Sequence, residues 1–385
     1  METLILGWYV LTETGSVRLL VLFGALMYVG ALLSPLFGVV GDRIGHRNLM
    51  CITRAIYAAL AAVLMFFAFT ETLTPPRVFA IATLAGLLRP SDLMMRNTLI
   101  AHTMTAERLM GALGLSRVTA DSARIAGALA GTGAVAAFGM GPAYVAILCI
   151  YLISFGLTLG VSRVHARNAA AGATLAMSPW GDLRHVVSYI RTSPELLSSL
   201  GLAFLVNVLA YPFVLGLLPY VAREVYGAGQ TGLGTLAASF AIGSLIGSIA
   251  LSMNRIPLHP ARTMLAAAAV WFLLTIAFAH TGSLTAGAIT LALAGAAQSF
   301  CMVLLAAVML RASGSEIRGR VMGMRILAIL GLPLGLLSAG PCIDEIGFAA
   351  TATLYAVVGV ALTLAIAMRW RVSLWRLAAP ANARW

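Results

Sequence analysis

Apolar runs long enough to cross a lipid bilayer recur along almost the whole sequence. A helix needs about 20 residues to span the hydrocarbon core, and eleven runs come near that length: 17–40, 48–70, 78–101, 107–137, 142–162, 197–221, 232–253, 263–280, 284–310, 321–343 and 349–368. A shorter apolar piece covers residues 2–12. Only 10% of the residues are charged and 61% are hydrophobic, too few polar side chains to cover a soluble domain. The sequence therefore predicts an all-α integral membrane protein.

The basic residues indicate which way the chain crosses the membrane. All 25 of them are arginines, and most lie in the short gaps between apolar runs. If alternate gaps are assigned to opposite sides with residues 41–47 inside, 17 arginines fall on the inner side and 3 on the outer side. Because cytoplasmic loops are enriched in basic residues, we predict a multi-pass protein of a bacterial inner membrane with a cytoplasmic C-terminus.

The net charge of +12 is explained by this orientation and indicates no nucleic-acid partner. A nucleic-acid-binding protein carries its basic residues on solvated elements with interleaved aromatic residues. The four cysteines and six histidines show no metal-ligand spacing, and the sequence has no phosphate-binding glycine loop with a lysine. We predict that the protein is not an enzyme and has no metal or cofactor.

Two pairs of landmarks recur at the same spacing and indicate an internal duplication. The dipeptides DR at 42–43 and NR at 254–255 each follow an apolar run. The segments RLMG at 108–111 and RVMG at 320–323 are separated by the same difference in residue number, which we call the repeat offset. One offset for two independent landmarks predicts two six-helix halves related as parallel repeats, an arrangement found in many transporters.

The predicted domain organisation follows from this duplication. It consists of an N-terminal helix bundle at 1–162, a cytoplasmic linker with an amphipathic helix at 163–193, a C-terminal bundle at 194–370 and a cytoplasmic tail at 371–385. The seventh helix begins near Pro194, so its counterpart in the first half would begin before Met1. We therefore expect the first helix to be incomplete, either because part of it lies upstream of Met1 or because it is naturally short.

The segment GVVGDRIGHR at residues 38–47 carries the most specific motif. It resembles G-x-x-x-D-R-x-G-[RK]-[RK], the signature of the loop after helix two in the major facilitator superfamily, and departs from it only at His46. Residues 194–247 and 318–335 resemble the branch of that family that contains enterobactin-type and macrolide-type exporters. The resemblance extends over nearly the whole chain. It implies the major facilitator fold, two six-helix bundles around one cavity, in a monomer that works as a secondary active transporter.

The same segment predicts a latch between the two halves. Gly38 and Gly41 allow a neighbouring helix to approach, and Gly45 allows a tight turn. Asp42 can meet arginines and the positive end of another helix, and the resemblance implies that this partner is helix eleven. The predicted latch comprises Gly38, Gly41, Asp42, Arg43, Gly45, Arg47, Arg318, Arg320 and Arg325. The alternative is a charge cluster that only fixes orientation, although orientation requires bases and does not require Asp42.

Charged residues inside the predicted fourth and fifth spans are the most unusual feature. There are six of them: Arg89, Asp92, Arg96, Arg117, Asp121 and Arg124. An isolated charge at that depth costs about 2.5–3.5 kcal/mol, so these side chains must pair or line water. When two antiparallel helices lie side by side, the two residue numbers of each facing pair add up to nearly the same sum. The pairs Asp92–Arg117 and Arg89–Asp121 have nearly equal sums, so both can form in one register. Asp121 can also pair along its own helix with Arg117 or Arg124.

Three roles are open for these charges. They can hold helices four and five together, or Asp92 or Asp121 can couple transport to protons, or the surplus arginines, mainly Arg96 and Arg124, can bind an anionic substrate. Arginine keeps its charge at any working pH. A coupling proton would therefore have to bind one of the two carboxylates.

Polar side chains in helices seven and ten form a weaker candidate site. Asn207 and Tyr211 lie in helix seven, and Gln298 and Ser299 lie in helix ten. The family resemblance places these helices, together with helices one and four, around the substrate cavity. Contact with a substrate and hydrogen bonding between helices are both open as roles for these residues.

Three G-x-x-x-G spacings predict close packing of helices, at 127–131, 243–247 and 331–335. Small residues at this spacing let the backbones of two helices approach each other. The spacings fall in helices five, eight and eleven, which the resemblance places at the interface between the halves.

Together these features predict a secondary active transporter that exports a small organic molecule by alternating access. The resemblance implies export, and the arginine surplus favours an anionic or amphipathic substrate. The predicted partners are this substrate, a coupling ion that we take to be the proton, and the lipid bilayer. Two alternatives stay open: an uptake carrier of the same fold, and a membrane receptor or scaffold that does not transport.

The predicted orientation can be tested by labelling single cysteines. We expect Ile44→Cys, in a chain without the four native cysteines, to react with a membrane-impermeant maleimide only from the cytoplasmic side. Thr72→Cys, in the next predicted loop, should react only from the outer side. Labelling of Ile44→Cys from the outside would contradict the topology and, with it, the transporter interpretation.

Overall fold

The computed structural model describes the chain at residues 1–33, 37, 40, 44–103, 106–161, 187–253, 259–313 and 318–376. All regular secondary structure in these ranges is helical. The chain separates into two compact units, one formed by Met1–Ala176 with Ala228–Gly234 and the other by Met177–Gly227 with Thr235–Trp385. Most of the predicted linker lies outside the described residues, and its end, at 187–192, is helical.

Six helices form most of the first unit. They are α1 (Glu2–Thr14), α2 (Val17–Leu26 with a 3₁₀ turn at Val29–Leu33), α3 (His46–Phe69), α4 (Pro75–Thr103), α5 (Ala106–Phe138) and α6 (Met140–Leu159). α1 ends at Gly15, whose φ of 63° is a left-handed conformation that glycine adopts without strain. Ser16 then starts α2, because its hydroxyl accepts a hydrogen bond from the amide of Leu19.

The helices of the second unit follow the same order. They are α7 (Pro194–Leu209, continued by Tyr211–Leu215, Leu218–Tyr220 and a π-helical turn at Val221–Val225), α8 (Gln230–Ser252), α9 (Pro260–Ala279), α10 (Leu284–Ala312), α11 (Arg318–Leu327, Ala328–Leu330 and Gly331–Ile346), α12 (Phe348–Arg369) and a short α13 (Arg371–Arg376). The breaks in α7 coincide with Pro212 and Pro219, which have no amide hydrogen to continue a helix.

The helices match the apolar runs of the sequence. Seven described segments are long and apolar enough to cross a membrane: α3, α6, α8, α9, α10, residues Met324–Ile346 of α11, and α12. Apolar helices at Val17–Leu33 and Pro194–Leu209 are shorter, and α4 and α5 are long, with 29 and 33 residues, but carry the charges noted above. Exposed apolar side chains such as Phe66, Ile153 and Leu157 mark the lipid-facing surfaces. The all-α membrane fold predicted from the sequence is confirmed.

The same pairs of helices pack together in the two units. In the first unit α3 packs against α6 and α4, and in the second unit α9 packs against α12 and α10. These are the third, sixth and fourth helices of each half. The recurrence of the pairs within each unit agrees with the duplication that the repeat offset predicts.

Glycines let backbones touch at corresponding helix crossings of the two units. A Cβ atom on Gly30 would overlap the main chain at Gly86, which joins α2 to α4. A Cβ atom on Gly243 would overlap the main chain at Ala292, and one on Gly295 would overlap that at Phe240, which joins α8 to α10. Gly243 is the immediate neighbour of the position that the repeat offset makes equivalent to Gly30. The crossing therefore depends on residues without a side chain in each half.

The three predicted G-x-x-x-G segments also pack within their own units. Residues 127–131 of α5 face Met1, residues 243–247 of α8 face α10, and residues 331–335 of α11 face the backbone of α7 at Phe204 and Val208. The predicted close approach to the backbone of another helix is found at 243–247 and 331–335, whereas 127–131 contacts residue Met1.

Stability measurements can test the α8–α10 crossing. Gly243→Ala should destabilise the protein by about 1–3 kcal/mol, because the added methyl group forces the two helices apart. Gly156→Ala is the matched control, since a Cβ on this exposed glycine in α6 meets no atom within 4 Å. We expect thermal unfolding in detergent to show a lower Tm for the first variant and an unchanged or slightly higher Tm for the second. Equal Tm values would contradict the crossing.

Candidate functional site

A carboxylate of the first helix is hydrogen-bonded inside the first unit. Glu2 begins α1, and its Oε2 accepts a hydrogen bond of 2.9 Å from the hydroxyl of Tyr151 in α6. The 13 residues of α1 rise by about 20 Å, so the carboxylate lies roughly that far along the helix axis from Thr14. An ionisable group inside a membrane protein is expensive unless it has a partner, and it commonly marks a functional site.

Two stacked tyrosines orient this contact. The rings of Tyr57 in α3 and Tyr151 in α6 are 5.5 Å apart and nearly parallel, at 15°. The hydroxyl of Tyr57 donates a 3.3 Å hydrogen bond to the carbonyl of Ala85 in α4. The stack therefore fixes the ring that presents its hydroxyl to Glu2.

An arginine lies beside these tyrosines. The guanidinium of Arg89 in α4 lies 4.7 Å from the ring centroid of Tyr28, a cation–π contact. Arg89 also interacts electrostatically with the Glu2 carboxylate. One terminal nitrogen of Arg89 is buried and has no hydrogen-bond acceptor among the described residues. We call the group Glu2, Tyr28, Tyr57, Arg89 and Tyr151 the carboxylate–tyrosine cluster.

Three members of this cluster come from the middle of their helices. Tyr57, Arg89 and Tyr151 lie near the centres of α3, α4 and α6, respectively. Arg89 was predicted from the sequence, whereas Glu2 and the tyrosines were missed. The sequence did contain a signal for Glu2: it is an acidic residue in the apolar piece 2–12, which has no basic residue to neutralise it.

The other charges predicted inside the membrane are partly visible. Asp121 of α5 is 1% exposed, and its carboxylate lies 3.5 Å from the guanidinium of Arg124, one turn further along the helix. This is one of the pairings along a single helix that the sequence allowed. The predicted Arg89–Asp121 pair is not among the ion pairs found between described residues, and the Arg89 guanidinium lies over the Tyr28 ring instead. The side chains of Asp92, Arg96 and Arg117 lie outside the described residues.

Most of the predicted latch also lies outside the described residues. This applies to Gly38, Gly41, Asp42 and Arg43 entirely, and to the side chains of Arg318 and Arg320. Gly45, with φ 87°, precedes α3, as expected of a tight turn.

The two latch arginines that are described contact carbonyls of their own units. The Arg47 guanidinium donates to the carbonyl of Leu159, at the end of α6. A positive group there interacts favourably with the helix dipole. Arg325 donates a 3.3 Å hydrogen bond to the carbonyl of Met302 in α10.

Two of the four predicted cavity residues meet in the second unit. The side-chain amide of Gln298 donates a 2.8 Å hydrogen bond to the Tyr211 hydroxyl, and its carbonyl accepts one of 3.2 Å from Ser244. The Tyr211 ring contacts Trp271 edge to face, with centroids 4.9 Å apart. The indole nitrogen of Trp271 is buried with no acceptor among the described residues. We call Tyr211, Ser244, Trp271 and Gln298 the amide–aromatic cluster.

The other two predicted cavity residues, Asn207 and Ser299, form hydrogen bonds within one helix and between two helices, respectively. The Asn207 amide donates to the carbonyl of Ala203 in its own helix, at 2.8 Å. Ser299 of α10 shares a 2.7 Å hydrogen bond with Ser248 of α8. Trp271 and Ser244 were not predicted, because a tryptophan and a serine in apolar helices are common core residues.

The described part of the chain contains no group of three or more His, Cys, Asp or Glu residues that could hold a metal ion. The four cysteines are free, and two of them, Cys51 and Cys301, are buried. The two clusters described above consist of a carboxylate, an arginine, an amide, a serine hydroxyl and aromatic groups. Such groups can bind and release protons and form hydrogen bonds with a small molecule.

Comparison with solved structures shows similarity over nearly the whole chain. The fucose:proton symporter of E. coli has a TM-score of 0.58 and 14% identity, and the match covers 96% of this chain and 93% of the symporter. A POT family transporter in complex with a thioalcohol-conjugated peptide gives 0.69 and 10%, with coverages of 97% and 94%. The human organic anion transporter MFSD10 (TETRAN) gives 0.60 and 16%, with 91% and 83%. At these identities the likeness shows the fold alone.

Sequence comparison gives the family. No curated protein sequence matches the chain significantly. The family model of the Major Facilitator Superfamily matches residues 3–325, which is most of the chain and reaches from α1 into α11. The fold, the apolar helices and this match lead to one conclusion: the chain belongs to the major facilitator superfamily.

Proposed function

We propose that this protein is a proton-coupled secondary transporter that exports a small organic molecule by alternating access. The family and fold support a secondary transporter. The observation that carries the coupling proposal is the presence of carboxylates paired with donors inside the first unit, Asp121 with Arg124 and Glu2 with Tyr151. An ion pair that only stabilises the fold can form at the protein surface. Proton relays in pumps and transporters instead use ionisable residues inside the membrane.

A carboxylate can couple a proton to a conformational change through its partner. Asp121 neutralises Arg124 when it is ionised and releases it when it is protonated, because the arginine keeps its charge. A ligand or proton shifts a conformational equilibrium by the difference in its affinity for the two states. A proton that binds such a pair more strongly in one state would therefore favour that state.

The amide–aromatic cluster supports an organic substrate. Ligand sites combine apolar and aromatic walls with a few hydrogen-bonding groups, and Tyr211, Trp271 and Gln298 provide these within the second unit. The arginines of α4 and α5 favour an anionic or amphipathic molecule. The three similar structures are named for a sugar, a peptide conjugate and organic anions, and they leave this class open because only their fold is shared.

The direction, membrane and assembly of the transporter form part of the same proposal. Export, rather than uptake, is supported by the resemblance of residues 194–247 and 318–335 to the exporter branch. The arginine distribution supports a bacterial inner membrane and a cytoplasmic C-terminus. We also propose the domain organisation predicted from the sequence, a monomer, and a latch in which Asp42 contacts helix eleven near Arg318 to Arg325.

Inverted membrane vesicles from bacteria that produce the full chain can test the transport proposal. With respiration acidifying the interior, we expect the vesicles to accumulate carboxyfluorescein, an organic anion, or ethidium, an amphipathic cation, and a protonophore to abolish the accumulation. Vesicles without the protein are the control. Gradient-driven loss of preloaded dye would indicate an uptake carrier instead, and movement of neither dye above the control would favour the non-transporting receptor.

Substitution of Asp42 can test the latch in the same assay. Asp42→Asn keeps the size of the side chain and removes its charge, so we expect the initial rate of dye transport to fall about tenfold, equivalent to ~1.4 kcal/mol. Glu71→Gln, which removes an exposed acid beyond the end of α3, should leave the rate unchanged. Because acids contribute little to orientation, the topology of both variants should be that of the wild type. An unchanged rate in Asp42→Asn would leave the cluster with its orientation role only.

A further inference from the structure

We infer that an anionic phospholipid binds in a groove between α9 and α12 of the second unit, with an acyl chain in the groove and its phosphate at the arginines of one end. The inference goes beyond the proposed transport, because it concerns a lipid ligand and does not depend on which molecule is carried. Three observations support it: the shape of the groove, the residues that occupy the corresponding place in the first unit, and the charge at one end.

The groove between α9 and α12, which we call the α9–α12 groove, has a volume of about 220 Å³. Arg262 lines one end of it, and the apolar walls are Leu265, Ala266 and Ala269 of α9 with Leu364 and Ala367 of α12. Arg262 and Ala269 are about 10 Å apart along the helix axis, which is enough for part of one acyl chain. Because Leu364 is 51% exposed, the groove opens on the outer surface of the unit, where a membrane protein meets hydrocarbon.

Small side chains create this space. Near the centres of the two helices α9 and α12 touch, and a Cβ atom on Gly359 would overlap the Phe272 ring. The residues that line the groove all lie on the side of this contact where α9 begins and α12 ends. There the facing side chains include alanines and the buried Thr363, which are too small to fill the space between the helices.

Large aromatic rings occupy the corresponding place in the first unit. The repeat offset pairs Ala269 with Tyr57 and Thr363 with Tyr151. These two tyrosine rings stack 5.5 Å apart between α3 and α6, the helices that correspond to α9 and α12. The second unit therefore has a methyl group and a threonine where the first unit has two rings, and the volume of the rings is left open to the surrounding lipid.

Arginines lie together at the end of the groove where α9 begins. Arg262 lines the groove, Arg369 ends α12, and Arg371 begins the short α13, which packs against both α9 and α12. All three side chains are exposed. Glu195, at the start of α7, is the one acidic residue that the described part of the chain has at this end of the unit. Positive charge therefore exceeds negative charge where the groove meets the membrane surface.

This combination favours a phospholipid whose head group has a net negative charge. Lipid tails are as apolar as leucine, so an acyl chain gains little by leaving bulk lipid for the groove, and a preference must come from the head group. Basic pockets between transmembrane helices on the cytoplasmic side bind anionic head groups, and a guanidinium can donate two hydrogen bonds to one phosphate. In the orientation that we propose, the start of α9 lies at the cytoplasmic surface. A zwitterionic lipid has a cation beside its phosphate, which the arginines repel.

Photo-crosslinking in lipid nanodiscs tests this site. The full-length protein is reconstituted with phosphatidylglycerol or phosphatidylcholine that carries the same diazirine in its acyl chain, and labelled peptides are identified by mass spectrometry. We expect phosphatidylglycerol to label residues 262–269 of α9 and 363–367 of α12 more strongly than phosphatidylcholine does. Arg262→Gln should lower the labelling by phosphatidylglycerol about fivefold, the usual contribution of one arginine near an anionic membrane surface.

Matched variants separate the charge from the shape of the groove. Arg223→Gln removes a partly exposed arginine at the opposite end of the second unit and should leave the labelling unchanged. Ala269→Tyr introduces the ring that the first unit has at this position, so labelling should fall although every arginine is still present. Ala277→Tyr, at an exposed position of α9 outside the groove, is the control for the added ring and should be labelled like the wild type.

Equal labelling of the groove by the two lipids, or unchanged labelling by phosphatidylglycerol in either Arg262→Gln or Ala269→Tyr, would overturn the inference. Loss of labelling by both lipids in protein that elutes as a dimer would show instead that a second copy of the chain covers this face. Thermal unfolding in detergent shows whether each variant with reduced labelling is folded. Because the assay measures no transport, failure of the proposed function in the vesicles would leave the lipid site standing.

Discussion

A polar group that lies among hydrocarbon must find its partner within the protein, and this requirement organises both units. In the first unit it brings Glu2 to Tyr151 and places the Arg89 guanidinium on an aromatic ring. In the second unit it connects Gln298 with Tyr211. Each contact joins helices that are far apart in the sequence. The polar clusters therefore act both as functional groups and as links that determine which helices lie side by side.

The sequence predicts the fold better than the site, for a physical reason. A membrane helix must satisfy its own backbone inside lipid, so an apolar run of the right length specifies the element directly, as α3 and α12 show. The choice of a side-chain partner depends on tertiary packing. The register of two antiparallel helices allows Asp121 to pair with Arg89, but Arg124 lies only one turn away on the same helix as Asp121. Glu2 was missed because its partner, Tyr151, lies at the far end of the first half in sequence.

The two halves share an architecture and differ in chemistry. Arg89 in α4 and Cys301 in α10 are separated by the repeat offset, so a buried thiol stands in the second half where the first half has a charge. The first unit accordingly has a cluster that can change its charge, and the second has a neutral one built on Tyr211 and Gln298. The two units share the same helix pairs, and in the function that we propose their side chains divide the tasks of proton binding and hydrogen bonding between them.

The glycine crossings explain how such divergence is possible. Where α2 meets α4 and where α8 meets α10, main-chain atoms touch at Gly30, Gly86, Gly243 and Gly295. The distance between these helices is set by contacts between main-chain atoms, and these atoms are the same whatever the neighbouring side chains are. A neighbouring position can therefore exchange a base for a thiol, as Arg89 and Cys301 do, without altering the spacing of the framework. Within each unit, the glycines that set this spacing are different residues from those that form the polar cluster.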